Sequence, residues 1–205
     1  MLKHIVGLVA VLVLSASPAL AGPPLICHPF VTEGGKLITW GPGPGWNSPD
    51  HSYDITKLVA DTTGALTPGT PVLTRMENLR RATIYAMRDP VIAEQLLSAL
   101  MSRALSTTNE GGAWFDAGYL IEAYRQGTHL RSDRKAAAWV AVDETIRVDG
   151  YGFVKKAIAM RGPNAEMELA ASLMTQGAVA DAHRARAKTA GAGSLVAKNL
   201  ARLAY

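Results

Sequence analysis

The chain has 205 residues, 48% of them hydrophobic, a formal net charge of +4 and one cysteine. That is the length and texture of one compact domain, or of one domain with a tail. It excludes collagen-like, disulfide-framework and highly charged disordered classes, and a lone cysteine makes neither an internal disulfide nor a multi-cysteine zinc site.

The first 21 residues read as a secretory signal. Lys3, with His4 beside it, supplies the positive start, and residues 5–14 form an uncharged, Val- and Leu-rich run. Ser15 to Pro18 break that run, and Ala19, Leu20 and Ala21 give the small-x-small cleavage pattern. The run is well short of the ~20 apolar residues a membrane span needs. Cys27 follows Ile26 rather than a small residue, which speaks against a lipoprotein anchor. The expectation is an exported protein, periplasmic or extracellular, with no stable membrane span after cleavage.

Residues 22–73 contain eight Pro and eight Gly, a density that breaks helices and strands alike. Trp40 and Trp46 bracket an alternating Gly/Pro turn. One short helix is predicted over 53–62, with Asp50 or Ser52 near its start.

From Thr74 onward the texture is helical through residue 205. Thr74 and Glu77 have the spacing of a capping box. Asp89 and Pro90 start a second helix, with Ala93, Leu96, Leu97, Leu100, Met101 and Ala104 on one face. Further helices are predicted over 112–126, 133–148, 151–161, 163–176, 179–189 and 194–203, with Gly127, Gly150, Gly162, Gly177 and Gly191 at stops or turns. No stretch alternates with period two. The expected class is all-α: antiparallel helix pairs, either a solenoid or an irregular bundle, behind a Pro/Gly-rich segment.

The pairs look related. Aligning 86–102 with 159–175 matches Ala86, Met87, Arg88, Pro90, Leu96, Leu100 and Met101 to residues of the same type 73 positions on. A weaker match at a shift of 34 relates Gly118, Tyr119 and Leu120 to Gly152, Phe153 and Val154. On these grounds the region from Thr74 resembles degenerate tetratricopeptide-like repeats, although the usual Trp/Gly/Tyr opening is missing. The block from Pro24 to Phe30, with the Trp40–Trp46 turn, resembles that of uncharacterised secreted bacterial proteins. That resemblance implies export and nothing about chemistry.

Cys27 and His28 are the most conspicuous reactive pair. Thiolate and imidazole both ligate transition metals, and His51 with Asp54 could complete a site if the loop folds back. Adjacent residues point apart, however, and no zinc spacing is matched, so the sequence favours a buried thiol and a packed or exposed histidine over ligation. A Cys/His hydrolase would need His129 or His183 as a distant base. Trp40, Trp46 and Tyr53 form either a ligand platform or the anchors of a core-poor segment. The helix acids Glu77, Glu94, Asp116, Glu122, Asp143, Glu144, Glu166 and Glu168 alternate with Arg80, Arg81, Arg125 and Arg147, the texture of a solvated, ion-paired surface. The basic residues after Asp181 (Arg184, Arg186, Lys188, Lys198, Arg202) read as another solvated face.

Two function classes follow. The first is a non-catalytic module whose helix pairs stack into a groove that holds a protein or peptide partner, with the Pro/Gly segment lying along it. It has no nucleic-acid partner and no cofactor. The second is an envelope protein that carries a transition metal or cofactor on Cys27, His28 and His51.

Overall fold

The computed structural model describes residues 24–107, 110–128, 130 and 147–203. The signal read at 1–21 lies outside them, as does nearly all of the helix expected over 133–148. Every regular element among the described residues is helical: α1 (Pro24–Cys27), α2 (Leu58–Ala65), α3 (Val72–Ala86), α4 (Pro90–Ser106), α5 (Gly111–Thr128), α6 (Gly150–Arg161), α7 (Ala165–Met174), α8 (Gly177–Ala187) and α9 (Leu195–Leu203). Short 3₁₀ turns at Ile55–Lys57 and Lys188–Ala190 lead into α2 and out of α8.

Several starts follow local chemistry. Asp89 accepts from the Val91 and Ile92 amides with Pro90 at the first helical position. Asp149 and Asn164 cap α6 and α7 in the same manner. Where a short helix is predicted over 53–62, Asp54 caps the 3₁₀ turn that leads into α2, through the Thr56 amide. Asp50 and Ser52 do not cap it; the Asp50 carboxylate instead closes a turn on Ser52.

The capping box at Thr74 does not form, because α3 begins two residues earlier, after Pro71. Tertiary partners take both of its ends. The Thr74 hydroxyl donates to the Gly34 carbonyl at 2.8 Å, and Glu77 turns away toward arginines. The Leu73 amide of the first turn donates instead to Glu166 of α7 at 3.2 Å.

α5 is the axis of the molecule. Its residues from Gly111 to Tyr124 are all buried, and α1, α3, α4, α6 and α7 pack around it. Its closest neighbour is α6, and two glycines permit the approach. A Cβ on Gly118 would sit 2.5 Å from the Gly150 carbonyl oxygen, and one on Gly150 would sit 2.7 Å from that of Gly118. Gly150 therefore does more than mark a turn. Three residues (162–164) separate α6 from α7, and two (175–176) separate α7 from α8, which pack on each other.

The Pro/Gly segment shares the core of the helices. Leu25, Ile26, Phe30, Ile38, Leu58 and Leu66 are buried in one cluster with α3, α4 and α5. Residues 30–39, which bend at Gly34 and Gly35, are held by one face of α3. Glu77 accepts from the Phe30 amide at 3.0 Å. Asn78 accepts from the Ile38 amide and donates to the Lys36 carbonyl, each at 2.8 Å. Arg81 donates to the Ile38 carbonyl and Tyr85 to that of Thr39. From α9, Asn199 grips both the amide and the carbonyl of Val31.

The acids read as a solvated surface are in part the opposite. Glu77, Asp116, Glu122 and Glu168 are buried, as are Arg75 and Arg80. Arg80 makes a two-pronged pair with Glu77 (2.8 and 2.9 Å), and Arg81 adds a third bond at 2.7 Å. Burial alone would raise the Glu77 carboxyl; the two guanidinium groups and the Phe30 amide outweigh it and hold the group below the usual range. Arg75 and Asp116, both wholly buried, meet at 2.5 Å.

The leucines related by the shift of 73 are all buried: Leu96, Leu100, Leu169 and Leu173. The helix caps do not follow that shift. Asp89 caps α4 immediately before Pro90, whereas Asn164 caps α7 after Pro163, so the two starts are out of register by two residues.

Candidate functional site

The residues singled out in the N-terminal segment fall in two places. Cys27 is buried at the end of α1, and His28 is half-buried beside it. With Phe30, Trp46, Asn199 and Arg202 they line a cavity of about 380 Å³. Burial raises the Cys27 thiol, only partly opposed by Arg80, and lowers the His28 imidazole. His51 is exposed and is not among the residues lining that cavity. Among the described residues no group of three or more His, Cys, Asp or Glu is placed to hold a metal ion.

Trp40 and Tyr53 do come together, but on Tyr85 of α3. Trp40 meets that ring edge-on at 5.6 Å between centroids, and Tyr53 lies tilted on it at 4.5 Å. The Arg80 guanidinium covers Trp40 at 4.9 Å. Trp46 stands apart on the Cys27 cavity, and its carbonyl accepts from Arg80 at 2.8 Å. The aromatic residues thus fasten the segment to α3.

A second constellation lies where α6, α7 and α8 meet. Glu168 of α7 and His183 of α8 are both buried, with Glu168 Oε2 2.5 Å from His183 Nδ1. Arg186 Nε donates to the same oxygen at 2.8 Å, and its Nη2 lies 2.7 Å from His183 Nδ1. On the other edge of the imidazole, Tyr151 Oη of α6 lies 2.7 Å from His183 Nε2. Burial raises the Tyr151 hydroxyl above the ordinary phenol range, with Arg186 opposing. The chain Glu168–His183–Tyr151 thereby anchors one surface hydroxyl.

That hydroxyl opens onto a groove of about 500 Å³ between α6 and α8. Ile158, Ala178, Val179 and Ala182 form its apolar wall, and Val179 is 50% exposed. Lys155 and Arg186 flank Tyr151, the Lys155 ammonium lying 4.7 Å from the Tyr151 ring centroid. Lys155 makes no ion pair among the described residues. Arg186 keeps about half of its side chain in solvent. Sequence reasoning missed this site. It met His183 only as a distant base for Cys27, read Glu168 as solvated, and saw Tyr151 only as a helix start. The three residues lie 15 and 32 positions apart, and no spacing rule links them.

Among the described residues no helix is long and apolar enough to cross a membrane. No protein-family model, curated protein or solved structure matches the chain.

Proposed function

We infer that this is an exported, non-catalytic helical protein that binds a protein or peptide partner in the cell envelope. Its C-terminal helix pairs act as degenerate tetratricopeptide-like units. The observation that carries this reading is the groove between α6 and α8: an apolar floor with an exposed valine, two flanking cations and an anchored tyrosine hydroxyl. Exposed apolar surface rimmed by polar groups marks interaction sites. The rest of the molecule supports the reading. The buried charges of the Glu77 cluster are consumed by the chain's own main-chain atoms, and α3 and α9 hold the N-terminal segment by its backbone.

The test is a displayed library of peptides, both internal and C-terminal, panned on mature protein and counter-selected on Val179→Asp. Peptides that bind the parent protein and lose binding on the variant support the reading. A library that yields no binder, or only binders indifferent to Val179→Asp, contradicts it.

A second reading, a transition metal held by Cys27 and His28, rests on their lining one cavity together. Metal analysis and a visible spectrum of protein purified without a His tag decide it. Stoichiometric metal lost in Cys27→Ala would favour it.

A further inference from the structure

The cavity at Cys27 takes part of its lining from α9, through Asn199, Arg202 and Leu203, and the rest from residues 27–30 and 45–46. Asn199 joins the two parts. Its Oδ1 accepts from the Val31 amide at 2.8 Å and its Nδ2 donates to the Val31 carbonyl at 2.9 Å, so one side chain does for Val31 what a neighbouring strand would do. Little else fastens α9. Of its nine residues only Val196 and Asn199 are buried, and the helix rests on α7 and on the 3₁₀ turn at Lys188–Ala190. The linker before it holds Gly191 and Gly193 at φ 85° and 87°, and a Cβ on either would meet nothing within 4 Å. Glycine enters that left-handed region without strain, and open space around it leaves the linker free to turn.

We propose that α9 is a hinged latch. It swings out about Gly191 and Gly193 while the helices around α5 stay folded, and in leaving it uncovers the Cys27 thiol and the main chain of Val31. The energetics favour such a partial opening. A helix of nine residues does not persist on its own, and a clasp made of neutral hydrogen bonds exchanges them for water at modest cost. Opening α5 would expose a run of side chains buried from Gly111 to Tyr124. Units with few buried apolar contacts open well below the free energy of global unfolding. Access to Cys27 is then set by the position of α9. No α9 residue lines the groove between α6 and α8, so partner binding there neither requires the latch nor tests it.

The test times the reaction of Cys27 with a chromogenic aromatic disulfide in mature protein, relative to the fully unfolded chain, at several denaturant concentrations below the transition. Deuterium exchange of α9 and α5 amides is followed alongside. The parent protein is expected to react about tenfold or more faster than its global stability allows, with little dependence on denaturant, because opening exposes little surface. The α9 amides should exchange about tenfold or more faster than those of α5. Asn199→Ala should speed the reaction about tenfold, the size of the lost clasp. Leu97→Ala, a core truncation in α4, should lower the melting temperature yet leave the reaction within about twofold of the parent. Labelling that rises with denaturant as steeply as global unfolding, and that Leu97→Ala speeds in proportion to its lost stability, overturns the latch, because Cys27 is then reached only when the whole molecule unfolds. Labelling as fast as in the unfolded chain and unchanged in Asn199→Ala overturns it as well, because the cavity then stands open with α9 in place. Should Leu97→Ala not fold, the denaturant slope of the parent and the exchange of α9 against α5 decide by themselves.

Discussion

Glu77 and Glu168 are both buried carboxylates held by arginine, yet their surroundings end differently. Around Glu77 every further contact leads back into the chain: Arg80 to the carbonyls of Ile26 and Trp46, Arg81 to that of Ile38, and Glu77 itself to the Phe30 amide. Around Glu168 the contacts lead outward, through His183 to a tyrosine hydroxyl at the edge of a groove. The difference separates two uses of a costly group. A buried ion pair is retained where it organises something, since desolvation offsets much of its attraction. The first cluster organises the docking of an irregular segment that has little secondary structure of its own. The second organises a surface.

The sharpest way to break the comparison is to remove the carboxylate at its inner end. Glu77→Ala leaves Arg80 buried and uncompensated and frees the Phe30 amide, and should cost about 3–5 kcal/mol in denaturant unfolding. A loss below ~1 kcal/mol, the range of surface pairs, would mean that the segment docks without it. Gly118→Val should cost about 1–3 kcal/mol by overpacking the α5–α6 contact, because its side chain meets the Gly150 carbonyl rather than a movable side-chain end.

Asp116 sharpens the contrast through pH. Burial, only partly opposed by Arg75, raises its carboxyl to about 7 from 3.8. The native state therefore keeps a proton that the unfolded state gives up between those values. Its contribution lowers stability as pH rises from about 4 to about 7. Asp116→Asn should flatten that part of a melting-temperature profile; an unchanged slope would show that the pair stays ionised throughout. At the outer cluster the smallest effect is expected. Tyr151→Phe deletes one neutral hydrogen bond at a half-exposed site and should cost about 1 kcal/mol or less. It should nonetheless weaken groove binding, whereas Glu77→Gln, in protein that remains folded, should not.

The fold was readable wherever local chemistry settles it. Asp89 before Pro90, the spacing of Leu96, Leu97 and Leu100, and the glycines after α6 and α7 each act within one or two turns. The buried acids were not readable for a physical reason. Glu77 lies three and four residues before Arg80 and Arg81, the same spacing as a solvated surface pair, and its burial comes from residues 26–46, which return to cover it. Thr74 and Glu77 fit a capping pattern that more distant partners outbid. The site was hidden for the same reason, since Tyr151, Glu168 and His183 sit on three helices and meet only when those helices pack. Cys27 and His28, conspicuous in sequence, share a cavity, while His51 stands outside the residues that line it.

The most direct measurement is an amide and methyl NMR titration of isotope-labelled mature protein with a peptide selected from the displayed library. The account predicts shift changes confined to α6 and α8, largest at Tyr151, Lys155, Ile158 and Val179, with α3 and the 30–39 segment unmoved. Shifts centred on α3 and that segment, or on the Cys27 cavity, would contradict it, because the partner would then bind where the chain now holds itself.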